Sequence, residues 1–93
     1  MPDQKRTYPR SAWKRLARTR ESKADRSQEY FDHLLKGFGF LSRDGGEHRI
    51  YWDADDKANR VSLPRHGVLR AYVAEQVIAA IDRVLERKGL DHG

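Results

Sequence analysis

The chain has 93 residues, a formal net charge of +5 at pH 7, no cysteine and a hydrophobic fraction of 38%. That size admits one small domain with a compact core, and the absence of thiols excludes a disulfide framework or a thiolate metal site. Residues 1–10 lack the apolar run of a signal peptide and no stretch approaches the length of a membrane span, so the expectation is a soluble, unprocessed, cytoplasmic protein with no membrane partner.

The positive charge is concentrated at one end. Residues 1–26 carry nine basic and three acidic side chains, whereas the rest of the chain carries ten and eleven. The basicity therefore reads as an N-terminal arm over residues 1–26, partly disordered or a short helix, ahead of a domain over residues 27–90. Such an arm suits a polyanion, because each phosphate it neutralises releases counterions. A solvated tail that maintains solubility accounts equally well for the same charge run.

Residues 1–10 hold Pro2 and Pro9 and show no periodicity. Ser11 is placed to cap a short basic amphipathic helix docked through Trp13, with Leu16 and Ala17 at helical spacing beside Lys14, Arg15 and Arg18. Ser27 caps the next helix, in which Tyr30, Phe31, Leu34 and Leu35 form the apolar stripe and Gly37 is the stop. Phe38 to Arg43 reads as a first strand, Gly45-Gly46 as a hairpin turn, and Glu47 to Trp52 as a second strand. Asp53 to Asn59 reads as a polar turn, and Arg60 to Leu63 as a third strand that Pro64 ends. The final helix spans about Leu69 to Lys88, with Val77, Ile78, Ile81, Val84 and Leu85 on its apolar side and Gly89 as its stop. The fold class is α+β, in the order helix, three antiparallel strands, helix. Both helices are expected on one sheet face, leaving the other open to solvent or a partner.

Chemistry near neutral pH points to the histidines. His48 follows the Gly45-Gly46 corner, and strand alternation places it on the face of Ile50 and Trp52. A histidine finishing the core edge is one reading. The other is a general acid or base beside Arg43, Arg49 and Arg65, whose charges would keep the imidazole neutral and hold a phosphate. That combination suits cleavage of RNA with the 2′-hydroxyl as nucleophile, and a single histidine implies a slow enzyme. His66 belongs to a strand exit, His33 is structural or exposed, and His92 lies in a frayed tail. Tyr51 and Trp52 suit either packing or base stacking. Asp53, Asp55 and Asp56 lack the glycine and distal glutamate of a calcium loop and read as a solvated turn, so no metal or cofactor is expected.

The run Gly37-Phe38-Gly39-Phe40, then Arg43, then Gly45 to Tyr51, then Arg60 to Gly67 resembles the HicA toxins of bacterial toxin–antitoxin systems over roughly residues 27 to 88. The resemblance implies a fold like the double-stranded RNA-binding domain and a ribosome-independent mRNA interferase. It also implies His48 as the catalytic residue, Gly45, Gly46 and Glu47 as the active-site turn, mRNA as substrate, and a HicB-like antitoxin that covers the site. Arg43, Arg49, Arg60, Arg65, His66, Lys14, Arg15 and Arg18 are the candidate nucleic-acid contacts, and the free chain is expected to be a monomer. Glu47 departs from the family, which has Ser or Thr there, and a carboxylate beside His48 would raise its pKa or repel phosphate. The competing expectation is a non-catalytic RNA- or DNA-binding module that uses the basic arm and the open sheet face.

Overall fold

The computed structural model describes residues 8–90. Its elements are α1 (Arg10–Glu21), β1 (Arg26–Ser27), α2 (Gln28–Gly37), β2 (Phe40–Gly45), β3 (His48–Asp53), β4 (Asp56–Pro64), β5 (Val68–Leu69) and α3 (Ala71–Arg87). Strands β2, β3 and β4 form an antiparallel sheet in that order, and β1 pairs with β5 in a separate two-residue ladder. The α+β class and the order of helix, three antiparallel strands and helix are as the sequence implies, with α1 as a further helix in front.

Alternation decides the two faces of the sheet. Tyr51, Val61 and Leu63 point inward and are buried, and α2 and α3 cover them with Phe31, Leu34, Leu35, Val77, Ile81 and Leu85. Each such side chain contributes about 1.5–3 kcal/mol on burial, so this single layer of helices on a sheet accounts for most of the core. Ser27 caps α2 as expected, its Oγ accepting the Tyr30 N–H at 3.2 Å. At the far end of α3 the Gly89 and Leu90 N–H groups close back on the Glu86 and Leu85 carbonyls, a Schellman stop.

The basic stretch belongs to this core. Residues 1–7 of the expected disordered segment lie outside the described residues, but Tyr8 is buried and α1 packs on α2 and α3. Pro9, not Ser11, is the N-cap of α1. The buried side of the helix is Ala12, Leu16 and Thr19, while Ala17 is exposed. Thr19 is buried without loss because its hydroxyl bonds the Arg15 carbonyl and the Tyr30 hydroxyl, both at 2.7 Å. Trp13 meets Phe38 edge-on with ring centroids 5.2 Å apart, and Arg20 grips Asp82 of α3 through two bonds of 2.5 and 3.2 Å.

All three strands of the sheet begin elsewhere than expected, β3 by a single residue, at His48 in place of Glu47. Phe38 and Gly39 finish the exit from α2, so β2 starts at Phe40. The turn after β3 needs only Ala54 and Asp55, because Asp53 Oδ1 accepts the Asp55 N–H at 2.9 Å, and β4 therefore starts at Asp56. Asn59, read as part of a polar turn, is buried in β4 with its Nδ2 donating to the Ala80 carbonyl at 2.9 Å.

Candidate active site

The β2–β3 hairpin closes with Gly45 opposite His48, leaving Gly46 and Glu47 as a two-residue loop. Gly46 has φ of +77° and the Glu47 that follows it does not have positive φ, the pattern of a type II′ turn with its obligatory glycine first. The turn thus sits one residue later than Gly45-Gly46. Gly45 is in the strand, where Ile50 lies over it: a Cβ added to Gly45 would come within 3.0 Å of Ile50 Cδ1.

Register then sets three rungs on the outward face, away from the helices. Leu41, Trp52 and Arg60 form one; Arg43, Ile50 and Ser62 the next; Gly45, His48 and Pro64 the last. His48 and Arg43 are exposed, and neither makes a side-chain hydrogen bond or ion pair among the described residues. Arg43 stands diagonally across from His48, where Cβ-bearing positions are about 7–8 Å apart and a long side chain spans the gap. The three rungs carry two guanidinium groups and one imidazole and no carboxylate.

The other two arginines expected beside His48 are elsewhere. Arg49 alternates to the helix side, where its Nη2 bonds Asp44 at 3.2 Å and its Nη1 lies 3.7 Å from Asp32. The hydrogen bond to Asp44 is the main reason its pKa rises above the ordinary arginine value. Arg65 leaves β4 and turns back over the hairpin, donating from Nη1 to the Gly46 carbonyl at 3.2 Å and from its backbone N–H to the Glu47 carbonyl at 3.1 Å; its Nε is 3.9 Å from Asp44. Arg49 and Arg65 therefore brace the turn that presents His48, and Arg43, Arg49 and Arg65 do not converge on one phosphate. Period-two alternation already separates Arg49 from His48, so that signal was present in the sequence.

The remaining candidates fall into two surfaces. Arg60 shares the outward face, its Nε fixed by the Lys57 carbonyl at 3.1 Å, and His66 is exposed in the loop between β4 and β5. Lys14 and Arg18 project from α1 on the helix side of the molecule, away from the His48 face. Arg15 beside them is half-buried, its guanidinium 5.6 Å from the centre of the Tyr30 ring. Glu47 is exposed at the hairpin tip.

Tyr51 is no stacking platform. It is buried on the inner face, donating to Asp32 Oδ1 at 2.5 Å and accepting from Gln28 Nε2 at 2.6 Å. Burial first, and the Asp32 carboxylate second, push its phenol far above the usual range. Asp53 is likewise structural: burial alone would raise its pKa, but the ion pair with Arg87 and the Asp55 N–H outweigh that and hold the carboxyl below its ordinary value. Asp55 also faces Arg87 and Lys88, at 3.7 and 4.0 Å. A concavity of about 360 Å³ between Tyr8, Lys36, Phe38, Ala54 and Lys88 contains none of the candidate site residues.

Among the described residues no three His, Asp or Glu side chains gather as a metal site, and no helix is long and apolar enough to cross a membrane. Fold and site together define a small α+β domain with an open sheet face on which an accessible histidine sits among unopposed positive charges. Comparison with family models, with curated proteins and with solved structures finds no match for this chain.

Proposed function

We propose that this chain is a small ribonuclease of the HicA kind, which cleaves mRNA on the outward sheet face with His48 as its general base. The observation that carries the reading is the exposed His48 on three outward rungs that hold no carboxylate and that it shares with Arg43. An accessible imidazole is the minimum for proton transfer to a polymer, and rungs without anions admit phosphate.

In this mechanism His48 accepts the proton from a ribose 2′-hydroxyl. The oxygen attacks the adjacent phosphorus and the P–O5′ bond breaks, giving a 2′,3′-cyclic phosphate and a 5′-hydroxyl end that takes its proton from water. Arg43 faces the non-bridging oxygens, whose charge grows in the transition state. No step requires a metal. A HicB-like antitoxin covering this face is the partner that goes with the reading.

A second reading has its own support. Two of three neighbouring arginines are spent on Asp44, and Glu47 puts a carboxylate at the hairpin tip. A module that binds RNA without cutting it accounts for both features. Expression of wild type and His48→Ala in bacteria separates the readings: arrested growth with broken transcripts for wild type alone supports catalysis. Equal growth and intact transcripts for both support the binding module.

A further inference from the structure

The outward face carries a large aromatic side chain that the core does not use. Trp13, Tyr30 and Leu90 are the partly buried apolar side chains that pack against the core, and Trp52 is not one of them. It stands at the centre of its rung on the opposite face, half-buried between Leu41 of β2 and Arg60 of β4. Leu41 is 51% exposed, so no element among the described residues covers this end of the sheet.

An indole on an open face has two uses, cross-strand packing and stacking, and its neighbours favour the second here. Arg60 on one side has its Nε fixed by the Lys57 carbonyl, which leaves the outer guanidinium nitrogens to face a ligand. Arg43 lies one rung on, and the rungs hold no carboxylate. Positive charge alternating with an aromatic platform is the pattern that binds single-stranded nucleic acid, the cations tracking phosphates while bases stack. Along β3, Trp52 is four residues from His48, about 13 Å at the rise of an extended strand, a span bridged by a short run of unstacked nucleotides.

We infer that Trp52, flanked by Leu41 and Arg60, is a base-stacking subsite that holds a nucleotide of single-stranded RNA at a fixed distance from His48. It rests on the reading of this face as the RNA site and adds to it a position for the strand. Duplex RNA offers no free base to the indole, so the subsite selects unpaired segments.

The probe is a 2′-O-methyl oligoadenylate, which lacks the nucleophile and cannot be cut. Titration of the full chain should quench tryptophan emission. Trp52→Ala should weaken binding about tenfold, whereas Trp52→Phe, which keeps an aromatic ring packed between Leu41 and Arg60, should retain most of the affinity and a melting point close to wild type. Equal affinity of wild type and Trp52→Ala overturns the inference. So does self-association through this face, seen as a concentration-dependent mass that Trp52→Ala abolishes while probe binding is unchanged. Binding of the probe through Trp52 by a chain that cuts no RNA defeats the catalytic reading alone. Cleavage with an unaltered KM in Trp52→Ala defeats the subsite alone.

Discussion

Gly37 of α2 touches Ala12 of α1 so closely that a Cβ on Gly37 would lie 2.8 Å from the Ala12 Cβ. This contact, at the last residue of α2, is what lets the basic helix dock. In an isolated helix Gly37→Ala would stabilise by about 0.5–1 kcal/mol through propensity. Here the overlap reverses the sign, and a net loss of about 1–2 kcal/mol is expected from overpacking. A urea melt checks it: a lower midpoint with unchanged slope supports the docked helix. A raised midpoint would mean that α1 does not pack there.

Because α1 is part of the core, deleting residues 1–26 cannot test whether its charges bind RNA. The double variant Lys14→Gln with Arg18→Gln does so, since both side chains are exposed. It should melt like wild type. If this second surface touches phosphate, the slope of log affinity against log salt should fall by about 0.7 for each charge removed, as for single strands. An unchanged slope assigns these charges to solubility.

Asp53 ties the β3–β4 turn to Arg87 of α3 and makes acid stability predictable. Its carboxyl is held below the reference value of 3.8, so the unfolded chain binds the proton more readily than the folded one. The stabilisation is complete above that value and is lost as pH falls through the lower folded one. The urea midpoint of wild type should therefore drop below about pH 4, and that acid limb should be weaker in Asp53→Asn. At neutral pH the same variant should lose about 1–3 kcal/mol, because Arg87 keeps only the more exposed Asp55.

Tyr51 gives the opposite limb. Its phenol is pushed above the reference value of 10.0 by burial and by Asp32, so an unfolded chain ionises at pH values where the folded one does not. Stability should fall as pH rises past 10, and Tyr51→Phe should flatten that fall while costing about 1–2 kcal/mol at neutral pH. Chemical denaturation at a series of alkaline pH values measures both.

Long periodic elements were legible from the sequence. The stripe of α3, the Ser27 cap and the alternation of β3 carry strong local signals, and His48 is on the face that alternation assigns. What escaped depends on distant partners. The two-residue ladder of β1 with β5 is too short for any periodicity, and it is fixed by Asp25, whose Oδ1 accepts the Ala71 N–H at the start of α3 at 2.8 Å. Thr19 and Asn59 look like surface residues until Tyr30 and the Ala80 carbonyl satisfy them. Arg65 looked like a phosphate ligand because nothing local reveals that it turns back over the hairpin to the Gly46 carbonyl and Asp44, whereas alternation alone separates Arg49 from His48.

The central claim is that His48 removes a proton from the 2′-hydroxyl of RNA on the open sheet face. The direct measurement incubates purified wild type and His48→Ala with a single-stranded RNA in the presence of a chelator and maps the new ends by mass spectrometry. Wild type should give 2′,3′-cyclic phosphate and 5′-hydroxyl ends, His48→Ala a rate at least a hundredfold lower, and the chelator no loss of activity. Uncut RNA with wild type, or equal cleavage by both proteins, would contradict the claim.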